Sequence, residues 1–106
     1  MNFATIQEVK SQLRLDTDDT SEDELLQLYL DASIELIETY LNRNVYTDEV
    51  PEGDKLGLIF TKKMKIAQLL IVGDWYKNRE NSQEKSLVNI PLGVKELLLP
   101  NRKVNI

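Results

Sequence analysis

Residues 21–42, "SEDELLQLYLDASIELIETYLN", constrain the fold more than any other part of the chain. Leu25, Tyr29, Ala32, Leu36 and Tyr40 recur at spacings of three and four, and Leu26, Ser33, Ile37 and Leu41 run alongside. That period is helical, and the two rows make a wide apolar stripe that must be covered. A helix from Glu22 to Asn42 is 21 residues long, or roughly 31 Å at about 1.5 Å per residue. This is long for a chain of 106 residues, which holds one modest core. "SEDE" at Ser21–Glu24 has the spacing of a capping box, and Glu22 and Asp23 complement the positive end of the helix.

The stripe needs partners, and the rest of the chain supplies them. "TIQE" at Thr5–Glu8 is another capping box, which predicts a short first helix to about Leu13 with Ile6, Val9 and Leu13 on one side. "RNVYTDEVPEGD", residues 43–54, reads as a loop with a short extended piece at Val45 and Tyr46. A third helix is expected from near Asp54, apolar on almost all sides between Ile66 and Val72 and therefore covered all round. Gly57 and Gly73 fall inside it, each at a cost of about 1 kcal/mol relative to Ala, which places them where another backbone comes close. "NRENSQEKS" is a polar loop. In "IPLGVKELLLPNR", residues 90–102, Pro91 opens and Pro100 closes a short helix whose Val94, Leu97 and Leu98 share a face. About two turns do not hold alone. They dock on the chain's own central helix or on a neighbouring molecule, with residues 101–106 expected to reach outward as a flexible tail. The fold expected is all-α: one small bundle over residues 1–106, with two long helices, a short N-terminal helix, a short C-terminal helix and an extended tail.

Composition removes whole classes of chemistry. The chain has no Cys and no His, which excludes disulfides, thiolate nucleophiles, the usual zinc sites and every imidazole relay. Net charge is −5, divided as −9 over residues 1–50 and +4 over residues 51–106. An acidic total argues against wrapping nucleic acid, whereas opposite halves suit docking of one copy on another. No apolar run approaches bilayer length, and "MNFATIQEVK" lacks the pattern of a secretory signal, so the cytoplasm is the expected site of synthesis and work.

Four clusters invite a chemical reading, and each has a plainer one. "DTDDTSEDE" from Asp16 fails as a calcium loop, having Ser21 and Gln27 where Gly and Glu are required, and reads as a solvated, capping loop. Asp31, Glu35 and Glu38 form a carboxylate row that could serve a glycosidase or di-iron site, but the latter needs His, and a solvated acidic face or contact surface fits better. In "DWYKNRE", Trp75 precedes Arg79 by four residues, so guanidinium can stack on indole. Both residues suit either helix-end packing or partner contact. "KKMK" (Lys62–Lys65) is the one tight basic cluster and resembles the wet side of a helix more than a nucleic-acid stripe.

Taken in order, "TIQEVKSQLRLDTDDTSEDELLQLYLDASIELIETYLNR", an apolar helix ending "DWYKNRE", and "IPLGVKELLLPNR" resemble the head-to-tail connector (adaptor, head-completion or DNA-packaging) proteins of tailed bacteriophages. The resemblance covers nearly the whole chain. It is most specific in the terminal block Pro91, Gly93, Val94, Leu97, Leu98, Pro100 and Arg102, and in Tyr76, Asn78, Arg79 and Glu80. Members commonly carry His and a small residue where this chain has Asp74 and Trp75. The resemblance implies a helical protein without catalytic residues, cofactor or metal. Copies would form a ring of about twelve subunits beneath the portal after packaging, extend the DNA channel and receive the stopper or tail protein. At −5 per subunit such a ring carries roughly −60, and an acidic lumen lets DNA pass without specific binding. Trp75, Tyr76, Arg79, Leu92, Leu97, Leu98, Arg102 and Lys103 are then the candidate subunit or portal interface, and Asp31, Glu35 and Glu38 the candidate acidic surface. The implied location is the virion neck, after assembly in the bacterial host cytoplasm. A small regulatory or nucleic-acid-binding protein, using "KKMK" and Arg79, is the alternative. A carboxylate enzyme built on Glu35 or Glu38 lacks its partner residues.

Overall fold

The computed structural model describes residues 1–78 and 92–103. The first helix, α1 (Ile6–Leu13), starts where the capping box places it. Thr5 Oγ1 accepts from the Glu8 N–H at 3.2 Å and Glu8 Oε1 accepts from the Thr5 N–H at 3.0 Å. The helix ends at Arg14, whose left-handed backbone (φ 58°) turns its N–H back onto the carbonyls of Lys10 and Ser11.

The long helix, α2, runs Asp23–Leu41 and stops at Asn42, also left-handed at φ 56°. The second capping box does not form: the cap residue is Glu22, with no side-chain cap bond, one residue later than the sequence spacing suggests. Two carboxylates explain the shift. Asp19 Oδ1 takes the Ser21 N–H at 2.9 Å, and Asp23, which would have occupied the first turn freely, lies 2.7 Å from Lys10 Nζ. The fully buried row of α2 is Leu26, Leu30, Ser33, Ile37 and Leu41, while Tyr29, Ala32, Leu36 and Tyr40 flank it half-buried.

After α2 the extended piece at Val45–Tyr46 becomes strand β1, paired in parallel with β2 (Leu58–Ile59) in the register Val45↔Leu58 and Tyr46↔Ile59. The third helix, α3, therefore begins at Lys62 rather than near Asp54. Thr61 caps it, its Oγ1 accepting from the Met64 N–H at 3.3 Å. Gly57 precedes a strand instead of lying in a helix, and a Cβ there would meet Val50 Cγ1 at 2.6 Å and Tyr46 Cε2 at 2.9 Å. Gly73 is helical, and what approaches it is the Leu13 side chain of α1, 3.5 Å from a Cβ, rather than a backbone.

Helix α3 (Lys62–Asn78) buries Met64, Ala67, Ile71, Val72 and Trp75 against α1 and α2. Buried Gln68 stitches three segments, accepting the Ala4 N–H at 2.9 Å and donating to the Leu30 carbonyl at 3.2 Å. The helix is not covered all round: Ile66 is 51% and Leu70 41% exposed, because α1 is only eight residues long and covers one side. Helix α4 (Leu92–Leu98) docks on α3, where Val94 and Leu98 complete the cluster of Ile37, Leu41, Phe60, Met64 and Ile71. A 3-10 turn, Leu99–Asn101, carries Pro100. The expected all-α bundle is present, with the two-stranded pair as its one addition among the described residues.

Candidate functional site

The terminal block forms a seam along the end of α2. Lys103 N–H donates to the Leu41 carbonyl at 2.8 Å, and Asn42 Nδ2 donates to the Lys103 carbonyl at 3.0 Å. Arg102 Nε donates to the Tyr40 carbonyl at 2.8 Å while its guanidinium lies over the Tyr40 ring, 4.9 Å from the centroid. Arg43 Nη1 reaches the Asn101 carbonyl at 3.4 Å. The last carbonyls of a helix lack intrahelical donors, and here the returning chain supplies them. Asn101–Lys103 thus lies on α2, and residues 104–106 fall outside the described residues.

The predicted interface residues do not share one environment. Trp75 (6% exposed) and Leu98 (1%) are core residues, with Trp75 edge-on to Tyr29 at 5.6 Å. Trp75 Nε1 is buried with no hydrogen-bond partner among the described residues. Tyr76 is half-buried and its hydroxyl donates to Glu22 Oε1 at 2.7 Å, tying the end of α3 to the start of α2. Leu97 is half-buried, and Arg102 and Lys103 are exposed. Arg79, with its proposed stack on Trp75, lies outside the described residues, as do Glu80, Pro91, the Leu92 side chain and the expected "NRENSQEKS" loop apart from its first residue, Asn78, which is the last of α3.

The acidic row also divides. Asp31 and Glu35 are exposed, with Asp31 Oδ1 accepting from Gln27 Nε2 at 2.9 Å. Glu38 is half-buried and its Oε2 accepts the Val45 N–H at 2.8 Å, so it tethers β1 to α2 instead of lying free on a solvated face. In "KKMK", Lys62 and Lys63 are exposed and Met64 is core. Lys65 Nζ lies 2.7 Å from Glu8 Oε2, which holds the Glu8 carboxyl below its ordinary range.

Two arrangements escaped the sequence reading. Lys10 is 2% exposed, and its ammonium is ringed by the Asp19 carbonyl at 2.8 Å, the Thr17 carbonyl at 3.4 Å and Asp23 Oδ1 at 2.7 Å. The acidic loop is therefore wound around a buried cation rather than simply solvated. A Lys following Val9 on the buried side of α1, just before a run of carboxylates, is the sequence signal for it. At the β1–β2 end, Asp54 Oδ2 accepts from Tyr46 Oη at 2.7 Å and from Asn44 Nδ2 at 3.0 Å, and Oδ1 accepts the Leu56 N–H at 3.3 Å. The Tyr46 hydroxyl holds the Asp54 carboxyl below its usual value, and Asp54 in turn raises Tyr46. Among the described residues no group of three or more His, Cys, Asp or Glu is placed to hold a metal ion.

These features define a small, mostly helical protein whose polar groups cap, clip and tether, and whose terminal block is folded back onto its two long helices. Residues 3–102 match the family described as Phage gp6-like head-tail connector protein, and the chain belongs to that family. No curated protein and no solved structure matches it.

Proposed function

We propose that this protein is a structural, non-catalytic adaptor of the phage neck. Copies form a ring between the portal and the stopper or tail-completion protein, extend the DNA channel after packaging, and pass DNA without binding it specifically. The observation that carries this reading is the family match from residue 3 to 102, which spans the folded helices and the closing seam as far as Arg102. Within that frame, Arg102, Lys103 and Leu97, with Tyr76, Arg79 and Leu92, are the residues we assign to subunit or portal contact. Trp75 and Leu98 act from beneath, holding α3 and α4 together. Asp31 and Glu35 supply acidic surface, consistent with the net charge of −5. The protein is assembled in the host cytoplasm and works in the virion.

Light scattering and negative-stain imaging across a concentration series, with and without purified portal protein, test this. Rings that appear or grow more abundant on portal are the expected result. A closed dimer at every concentration, or submicromolar and salt-sensitive binding of duplex DNA in a gel shift, overturns it.

A further inference from the structure

Among the described residues, two exposed helix faces are left once the core and the terminal seam are complete, and they carry opposite charge. On α2 the side turned away from the core presents Glu24, Leu28, Asp31 and Glu35 at spacings of four, three and four, all exposed. Leu28 is 62% exposed, the apolar crest of an acidic ridge. On α3 the outward side presents Lys62, Ile66, Leu70 and Lys77, with the two apolar residues 51% and 41% exposed. Beside Leu70 a groove of about 520 Å³ opens between the end of α1, α3 and the start of α4. Leu13, Gly73 and Val94 line it, and Arg14 and Lys77 stand at its sides. Asp74 is there too, its carboxylate already accepting from Asn78 at 3.0 Å.

A lone exposed leucine is ordinary on a protein surface. Here two apolar faces are flanked by charges of opposite sign. We propose that the α2 ridge of one copy seats on the α3 face of the next, with Leu28 entering the groove beside Leu70 and Glu24, Asp31 and Glu35 facing Lys62, Lys77 and Arg14. The occupant is a second copy of this chain. Pairing of like faces is disfavoured, because ridge on ridge sets three carboxylates against three and α3 on α3 opposes lysines. The contact is therefore heterologous. Since α2 and α3 pack on each other with these faces turned outward, a copy engaged through one face keeps the other free, and the series continues until its rotation closes. This names the subunit contact of the ring proposed above and rests on that reading.

Complementation between variants tests it. Leu28→Asp spoils every ridge and Leu70→Glu every α3 face, yet a mixture retains one intact pairing, the ridge of the second variant on the groove of the first. Each variant alone is expected to stay monomeric where the unaltered protein associates, weakened at least about tenfold, and the equimolar mixture is expected to form a 1:1 dimer and nothing larger. Both sites are exposed, and thermal melting confirms folding; Lys77→Glu is the milder substitute should Leu70→Glu melt early. The chain contains no Cys, so a Leu28→Cys/Leu70→Cys double variant carries the sole thiols. Under mild oxidation at high concentration it is expected to give a ladder beyond dimer, since a disulfide needs Cα atoms within about 7 Å, while Leu28→Cys alone gives none. Absence of the ladder, or a mixture that stays monomeric, overturns the contact. Rings that form regardless of both substitutions also reject this surface while sparing the ring. A 1:1 complementation dimer without rings from the unaltered protein even in the presence of portal keeps the surface and rejects the ring.

Discussion

A Cβ at Gly57 would stand 2.6 Å from Val50 Cγ1 and 2.9 Å from Tyr46 Cε2, closer than carbon atoms tolerate. Gly57→Ala is therefore expected to destabilise by about 1–3 kcal/mol, since Val50 or the β1–β2 pairing must shift. At Gly73 a Cβ meets Leu13 at an ordinary 3.5 Å inside a helix, so Gly73→Ala is expected to be neutral or to stabilise by up to about 1 kcal/mol. Urea denaturation of the two variants gives opposite or clearly unequal shifts if this is right. The same corner of the molecule sets a pH dependence. Asp54 is held below its ordinary value by the Tyr46 hydroxyl, so the folded state favours the carboxylate. Its contribution is full above the unfolded value, near pH 4, and disappears as pH falls through the lower folded one. Asp54→Asn is expected to flatten that part of the acid limb of a stability profile. A close approach of another backbone was expected at both glycines; Gly57 is crowded, but by the Val50 and Tyr46 side chains, which reach it only once the two strands pair, and Gly73 is not crowded at all.

At the scale of the element, α1 and α2 were legible almost to the residue, since the "TIQE" box and the α2 stripe are local signals. The start of α3 was not. Leu58, Ile59 and Phe60 continue the apolar run into "TKKMKIAQLL", and a short apolar run fits strand and helix equally well until the pairing with Val45 and Tyr46 is known. The acidic loop is exposed, as expected, but the buried cation beneath it was not foreseen, because that required knowing which side of α1 faces inward. Lys10→Met keeps the aliphatic stem and removes the ammonium that holds the Thr17 and Asp19 carbonyls and Asp23. The Asp23 side chain is 32% exposed as a whole, but the Oδ1 that faces Lys10 is buried and would lose its charge partner, so the expected loss is about 2–3 kcal/mol, accompanied by faster proteolysis within residues 16–20. Helix α4 makes a similar distinction between neighbours. Leu98 at 1% exposure is expected to cost about 3 kcal/mol on truncation to Ala, and half-buried Leu97 markedly less, which a pair of denaturation curves resolves.

For the whole molecule, the family signature was readable because its most specific part is one contiguous block, residues 91–102, whereas the role of the block's end in closing the fold was not. Nothing local in "LPNRK" says that Arg102 stacks on Tyr40 or that Lys103 donates to the Leu41 carbonyl, contacts that join residues about sixty positions apart. Likewise Asp31 and Glu35 were legible as an acidic face, while Glu38 was not separable from them until Val45 was placed against it. The tail is thus two things in sequence: a clasp at residues 101–103 and, beyond it, residues 104–106. Removing residues 104–106 leaves the hydrogen bonds of the seam in place and is the reference for a longer truncation. Removing residues 101–106 strips the donors from the end of α2 and the cation from Tyr40, and each hydrogen bond lost is worth about 1 kcal/mol. It is therefore expected to lower the melting temperature by several degrees for a domain of this size. Assembly follows separately. If Arg102 and Lys103 contact the portal, as proposed, Arg102→Ala/Lys103→Ala is expected to reduce portal-dependent ring formation with a much smaller loss of stability than the six-residue truncation. Melting and portal pull-down measured on the same three variants separate the clasp from the contact, and equal losses in both for the double Ala variant would assign these residues to folding alone.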